Sequence, residues 1–169
     1  MPYYQLYYHV VWATKRRLPL LTPDVEPLIF AYLRNKTATL EGVVYALNGV
    51  EDHVHLVVTI PPKIAVATFI GQIKGVASTR FNKEHANKPT FYWQDAYSVF
   101  SFDRKRLPFV VAYVENQKAH HAQGTTLPVL ERVDEVVRSA MVKERGDDWR
   151  VGEAGWWAEM MALEPHGHK

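Results

Sequence analysis

The segment His53–Ile60 constrains the fold more than any other part of the chain, because its residues alternate in character along its length. One side carries His53, His55, Val57 and Thr59, and the other carries Val54, Leu56, Val58 and Ile60. Successive side chains of a β-strand point to opposite faces, so this pattern predicts a strand with one face in the core and the other available for chemistry. Pro61 and Pro62 end the strand, since proline cannot donate to the hydrogen-bond ladder.

The other periodicities place this strand in a mixed chain. They predict a strand at 3–13, a helix from Thr22 to Leu40, a hairpin of 43–48 with 53–60, a helix at 64–81, a strand at 97–102 and a helix from Asp103 to His121. The order β, α, β, β, α, β, α is that of a split βαβ, or ferredoxin-like, fold. We therefore predict an α+β protein: an antiparallel ferredoxin-like sheet with helices on one face, an extra C-terminal helix that bears Tyr113, and a helical tail.

The composition indicates one globular domain with an appendage. Of the 169 residues, 47% are hydrophobic and 22% charged, which excludes wholesale disorder. The chain has no cysteine, which excludes disulfides and thiolate ligands or nucleophiles. Residues 1–125 carry 14 Lys and Arg against 9 Asp and Glu, whereas residues 126–169 carry 6 against 9. We predict a basic body at 1–125, suited to a polyanionic partner, and an acidic, tryptophan-rich, helical extension at 126–169.

The chain offers no sign of a membrane segment. No stretch approaches the roughly 20 apolar residues that cross a bilayer, and the N-terminal residues lack the basic and apolar regions of a signal peptide. We expect a soluble, cytoplasmic protein.

The two histidines of the central strand form a candidate metal site. His53 and His55 lie two residues apart in a strand, so they project from the same face and their imidazoles can bind one divalent cation. The alternative is that both histidines face solvent without a ligand.

A second candidate lies on the last helix of the body. Tyr113 and Gln117 are four residues apart, which places the phenol and the amide on one face of a helix. An amide oxygen is a suitable third ligand for Mg²⁺ or Mn²⁺. The alternative is a half-buried tyrosine beside a solvated glutamine.

Taken together, in their order along the chain, several short motifs resemble a known family. They are YHVVWATK at 8–15, DHVHL at 52–56, PPK at 61–63, IKGVAS at 73–78, WQD at 93–95 and YVENQ at 113–117. The chain resembles the small HUH single-tyrosine transposases of bacterial insertion sequences, which include the REP-associated tyrosine transposases. Residues 1–125 would then be the catalytic domain.

This resemblance implies a reaction and a set of residues. Tyr113 matches the nucleophile, His53 and His55 match the metal-binding pair, and Gln117 matches the third ligand. Such enzymes recognise hairpin ends, cleave single-stranded DNA through a 5′-phosphotyrosine intermediate with Mg²⁺ or Mn²⁺, and rejoin the strands. Family members act as homodimers that can exchange the tyrosine helix, and they associate with the nucleoid when bound to DNA.

Basic residues supply candidate contacts to DNA phosphates. They are Lys15, Arg16, Arg17, Lys74, Arg80, Arg104, Lys105 and Arg106. The aromatic triplet Phe91–Trp93 can stack bases or belong to the core. His120 and His121 end the tyrosine helix, where we expect them to interact with its dipole.

Three alternative functions remain open from the sequence. One is a domesticated REP-associated tyrosine transposase that processes chromosomal repeats. Another is a non-catalytic nucleic-acid binding module, since split βαβ sheets also bind RNA. A metallohydrolase is disfavoured, because no third histidine or carboxylate ligand is apparent apart from Glu51 and Asp52.

Overall fold

Four antiparallel strands form one sheet, and their order places the histidine strand near its centre. The computed structural model describes residues 3–131. Its strands are β1 (Tyr7–Ala13), β2 (Val43–Val50), β3 (His53–Thr59) and β4 (Ser98–Phe102). The strand order is β2-β3-β1-β4, which is the ferredoxin-like order and confirms the predicted fold class. The predicted β2–β3 hairpin is also confirmed, with two more residues on β2 than the sequence indicated.

The register of β1 against β3 decides which side chains share a face. Val11 lies opposite His55, Ala13 opposite His53, and His9 opposite Val57. Residues that lie opposite each other in adjacent strands project from the same side of the sheet. His9 therefore lies on the histidine face, two residue pairs along the register from His55.

Two helices cover the opposite face and form the main core. They are α1 (Glu26–Thr39) and α2 (Val66–Glu84). Their apolar sides pack on Trp12 and on the apolar residues of β3, and this cluster is almost fully buried. The first of these helices begins four residues later than predicted, because the Thr22 carbonyl accepts hydrogen bonds from Val25 and Glu26 in a preceding turn.

The tyrosine-bearing region is two helices, where the sequence predicted one. A 3₁₀ turn at Arg104–Arg106 leads into α3 (Leu107–Glu115), and α4 (Gln117–Gln123) follows. The break is at Asn116, whose φ of −96° and ψ of 15° leave the helical region. The Asn116 side chain donates to the Ala112 carbonyl at 2.8 Å, and Asn48 of β2 donates to the Glu115 carbonyl at 2.8 Å. The Ala112 carbonyl also accepts the helical bond from the Asn116 N–H at 3.1 Å, whereas Asn48 satisfies a Glu115 carbonyl that a continuous helix would use itself.

The chain then turns back over the histidine face. Gly124, after α4, has a φ of +67°, in the left-handed region that favours glycine. A 3₁₀ turn at Pro128–Leu130 follows, and Leu130 is buried beside Val57 and Val114. The first residues of the predicted extension thus pack on the body, and the rest of it, 132–169, lies outside the described residues. None of the helices within residues 3–131 has the length and hydropathy that crossing a bilayer requires.

Candidate active site

The two histidines of β3 are oriented by partners on their Nδ1 atoms. Both rings are buried, with 1% exposure for His53 and 0% for His55. The His53 Nδ1 lies 2.6 Å from Asp52 Oδ1, and the His55 Nδ1 lies 2.9 Å from His9 Nε2. In both rings the Nε2 atom therefore faces the space under the tyrosine helix. Histidines that bind metals are held in the same way, by a partner on the nitrogen that does not ligate.

Asp52 is an ionised partner for His53. Arg17 Nε donates to Asp52 Oδ2 at 3.1 Å. Burial alone would raise the pKa of the Asp52 carboxyl, but the hydrogen bond with His53 and the nearby Arg17 charge outweigh burial and lower this pKa. A carboxylate at this position favours the His53 tautomer that has its proton on Nδ1 and a lone pair on Nε2.

His9 is neutral in the buried pair. Burial, reinforced by the neighbouring His55, holds the pKa of His9 well below its ordinary value. Burial also lowers the pKa of His55. Two neutral imidazoles can share one proton on the line between His9 Nε2 and His55 Nδ1.

Two further residues join the cluster that the sequence analysis did not assign to it. His121 of α4 and Glu131, just after the last 3₁₀ turn, have ligand atoms within 4.8 Å of each other and of those of His53 and His55. The Glu131 Oε2 lies 3.1 Å from His53 Nε2, 3.2 Å from His55 Nε2 and 3.4 Å from His121 Nε2. The expectation that no third histidine or carboxylate is available was therefore wrong.

The sequence held a signal for His121 but none for Glu131. His121 follows Gln117 by four residues within α4, so the periodicity that paired Tyr113 with Gln117 extends one step further. Glu131 reaches the site through the turn at Gly124. No periodic spacing relates Glu131 to the histidines, because the chain reverses between them.

Tyr113 lies against the same cluster. Its hydroxyl donates to Glu131 Oε1 at 2.5 Å and accepts a hydrogen bond from the Leu127 N–H at 3.0 Å. The ring centroid lies 6.1 Å from that of His55, and the side chain is buried at 4% exposure. Burial raises the pKa of the Tyr113 phenol, and the hydrogen bond to Glu131 raises it further.

Gln117 is fully buried although it is polar. Its amide nitrogen lies 3.4 Å from the Tyr113 carbonyl oxygen, to which it donates. Its Oε1, like His53 Nε2, is buried without a hydrogen-bond partner in the described part of the chain. An unpaired buried acceptor is costly, and two of them belong to the predicted ligand set. The three imidazole nitrogens and the carboxylate of the cluster form a donor set that fits a divalent cation.

The predicted DNA contacts divide into two groups in the structure: those in the 3₁₀ turns at 15–17 and 104–106, and those on α2. The Lys15–Arg17 turn is exposed beside the site, since Arg17 pairs with Asp52, and Lys15 Nζ lies 5.4 Å from the Tyr92 ring centroid. Arg104–Arg106 form the turn that leads into α3. Arg80 pairs with Glu84 at 3.0 Å on α2, the helix that covers the other face of the sheet.

Lys74 has a structural role that the sequence did not indicate. It is 7% exposed, and its ammonium donates to the carbonyls of Gln94, Asp95 and Ala96 at 2.7, 3.2 and 3.4 Å. An ammonium occupied in this way is not available to a phosphate. In the aromatic triplet, Phe91 and Trp93 belong to the core and Tyr92 is exposed.

A ferredoxin-like sheet with paired histidines beneath a tyrosine-bearing helix is the arrangement that the sequence motifs implied. Residues 2–117 match the family model described as "Transposase IS200 like". The ISDra2 transposase TnpA of Deinococcus radiodurans is 26% identical over 119 residues, which cover 68% of this chain and 85% of that protein.

Two solved structures are similar to this chain. A crystal structure of a transposase from Deinococcus radiodurans R1 has a TM-score of 0.56 at 26% identity and covers 69% of this chain and 93% of that one. A structure of a REP-associated tyrosine transposase bound to a REP hairpin has a TM-score of 0.54 at 15% identity, with 72% and 74% covered. At 15% identity, the second structure shows a similarity of fold alone.

The matches agree on a class of DNA-processing enzymes. Because the family model covers well over half of the residues, the chain belongs to the IS200-like transposase family. The resemblance inferred from the sequence is confirmed.

Proposed function

We propose that the protein is a metal-dependent single-stranded DNA transesterase that cleaves and rejoins DNA through a 5′-phosphotyrosine intermediate, with Tyr113 as the nucleophile. The observation that supports this most strongly is the position of the Tyr113 hydroxyl. It lies beside a cluster of ligand atoms that includes His53 and His55, and all of them come from one chain.

The proposed reaction conserves the phosphodiester. The Tyr113 oxygen attacks the scissile phosphorus, and the new O–P bond replaces the P–O3′ bond. The phenolic proton is transferred, through a base, to the 3′ oxygen, which departs as a hydroxyl. In the reverse step a 3′ hydroxyl attacks the tyrosine ester and restores the phenol. The reaction therefore consumes no nucleotide cofactor and no water.

The residues of the site have distinct roles in this proposal. His53, His55 and Gln117 would hold a divalent cation, Mg²⁺ or Mn²⁺, which neutralises charge on the phosphate when it is bound. Asp52 and His9 fix the two imidazole rings. Burial of Tyr113 keeps water away from the ester, which favours rejoining over hydrolysis.

We propose that DNA binds along the basic turns that flank the site. The Lys15–Arg17 turn and the Arg104–Arg106 turn supply six basic residues, and neutralising phosphates with them makes affinity fall steeply with salt. We leave out Lys74, which is buried, and Arg80, which lies on the far helix layer. A hairpin is the proposed substrate, since the REP-associated tyrosine transposase of similar fold was solved with a REP hairpin.

We also propose a homodimer, the usual assembly implied by the family resemblance. One chain already brings Tyr113 to the histidine pair, so exchange of the tyrosine helix is not needed to assemble the site. Light scattering coupled to size exclusion tests the dimer. A mass of one chain at all concentrations would contradict it.

The test of the chemistry is formation of a covalent adduct. Wild type incubated with a single-stranded hairpin oligonucleotide from its own flanking DNA and Mn²⁺ should give an SDS-resistant complex, and Tyr113→Phe should not, while still binding the oligonucleotide. Tyr45→Phe, a half-exposed tyrosine of β2, is the matched control and should keep the adduct. An adduct that persists in Tyr113→Phe would remove the assigned nucleophile, and binding without any adduct in wild type would favour a non-catalytic module.

A further inference from the structure

The segment after α4 brings a carboxylate to the histidine cluster that no family motif assigns. We propose that Glu131 is a further ligand of the divalent cation, through Oε2, and that its Oε1 holds the Tyr113 hydroxyl. This inference rests on the proposed function, because it concerns the same cation. It makes Glu131 the residue that links the cation to the nucleophile.

The distances from Glu131 Oε2 to the imidazole nitrogens match the spacing of neighbouring ligands around one cation. Glu131 Oε2 lies 3.1, 3.2 and 3.4 Å from the Nε2 atoms of His53, His55 and His121. Ligands bound at about 2.1 Å from one ion are separated by about 3.0 Å in octahedral geometry and by about 3.4 Å in tetrahedral geometry. Three imidazole nitrogens thus converge on a single carboxylate oxygen at the spacing of a coordination shell.

Asp52 and Glu131 lie at opposite nitrogens of the His53 ring. Asp52 Oδ1 lies 2.6 Å from Nδ1, and Glu131 Oε2 lies 3.1 Å from Nε2. Histidines that bind metals carry a partner of this kind on the nitrogen that does not ligate, so a cation at Nε2 would have Glu131 Oε2 beside it.

The charge of Glu131 complements the other ligands. His53, His55 and Gln117 are all neutral donors, so a carboxylate would supply the only negative charge in contact with a dication. Carboxylate oxygen is also the ligand type that Mg²⁺ and Mn²⁺ prefer.

The backbone that carries Glu131 is fixed against the body. Leu130 is 4% exposed in the cluster that contains Tyr113 and Val57, and the Leu127 N–H donates to the Tyr113 hydroxyl. Tyr113 therefore receives one hydrogen bond from the segment and gives another to it at 2.5 Å. The same contacts that orient the phenol place the Glu131 carboxylate over the histidines.

The test measures Mn²⁺ binding by the full chain, using electron paramagnetic resonance of free Mn²⁺ and isothermal titration calorimetry without DNA. Glu131→Gln keeps the size of the side chain and removes its charge. We expect its Kd for Mn²⁺ to rise about tenfold or more. Glu115→Gln, the same change at an exposed position at the end of α3, should stay within about twofold of wild type. Circular dichroism checks that both variants fold, and Glu131→Ala repeats the test with a shorter side chain.

The outcomes separate this inference from the proposed function. If His53→Ala loses Mn²⁺ while Glu131→Gln and Glu131→Ala bind as tightly as wild type, the inference fails and the metal site stands. Tighter binding by Glu131→Gln would also overturn it, since the carboxylate would then compete for the cation's position. If wild type does not bind Mn²⁺ at millimolar concentration, the metal site of the proposed function fails, and the inference fails with it.

Discussion

His9 Nε2 lies 2.9 Å from His55 Nδ1, and both rings are buried on the same face of the sheet. This contact lets His9 orient the His55 ring, because a partner on Nδ1 leaves Nε2 facing the cluster. His9 is a positioning residue in this account. Its ring lies edge-on to that of Tyr113, with centroids 6.5 Å apart, and it supplies no ligand to the proposed cation site.

Replacing His9 should therefore weaken metal binding without removing a ligand. His9→Phe keeps a ring of similar size but cannot hydrogen bond to His55, and we expect Mn²⁺ affinity to fall by about 10- to 100-fold. His85→Phe is the control and should leave the affinity unchanged, because His85 follows the last residue of α2 and its ring lies against Phe81 in the other helix layer. Unchanged Mn²⁺ affinity in His9→Phe would show that His55 needs no partner on Nδ1.

Asp52 should have the same kind of effect on His53. Asp52→Asn replaces the carboxylate 2.6 Å from His53 Nδ1 with a neutral amide, so the preferred tautomer is held less firmly. We expect Mn²⁺ affinity to fall by about tenfold. Glu51→Gln removes the same charge from the adjacent, exposed position and should have little effect. Equal losses in the two variants would indicate a general charge effect instead of orientation of His53.

Gly124 should be sensitive to substitution, in contrast to the glycines of α2. Its φ of +67° places an L side chain in a strained region, so Gly124→Ala should lower the free energy of unfolding by about 1 kcal/mol. Gly75→Ala should raise it by up to about 1 kcal/mol, since a Cβ there meets nothing within 4 Å and alanine favours the helix. Urea denaturation measures both changes. A stabilising Gly124→Ala would mean that the chain reverses toward Glu131 in another conformation.

Lys74 should give the protein a particular pH dependence. Burial lowers the pKa of Lys74 from 10.5 to about 8. Between these pH values the unfolded chain binds a proton that the folded protein has released, so the free energy of unfolding rises with pH. Relative to Lys74→Met, wild type should gain up to about 1.4 kcal/mol per pH unit in this window.

The control for Lys74 is Lys83→Met, which removes the charge of an exposed lysine on the same helix. Urea denaturation at intervals between pH 7.5 and pH 10 would measure all three proteins, with the window set by the folded pKa of about 8. We would subtract the free energy of unfolding of Lys74→Met from that of wild type at each pH. If this difference stays constant or falls as the pH rises, burial of the ammonium is contradicted.

The sheet and the histidine pair were predictable from the sequence because they depend on local periodicity. Alternation along His53–Ile60 fixed both the strand and the face from which the two imidazoles project. The ferredoxin-like strand order followed from the succession of elements. The spacing of Tyr113 and Gln117 predicted that both lie together, and both side chains are buried, with the Gln117 amide donating to the Tyr113 carbonyl.

The remaining features depend on contacts between distant parts of the chain. The helix break at Asn116 is supported by Asn48, which lies 67 residues upstream of Glu115, to whose carbonyl it donates. The sequence predicts Lys74 as a surface charge that contacts DNA. The fold instead brings three backbone carbonyls to its ammonium. Glu131 joins the site through a chain reversal, which carries no periodic signal.

The central claim is that Tyr113 forms the covalent bond to DNA, and locating that bond tests it most directly. Digestion of the purified adduct with trypsin and then nuclease should leave a nucleotide on the peptide 107–118, which contains Tyr113 and no other tyrosine. Mass spectrometry should find the added mass on Tyr113 in a sample formed with Mn²⁺ and a single-stranded hairpin. A nucleotide on any other peptide, or an SDS-resistant complex with peptide 107–118 unmodified, would contradict the account.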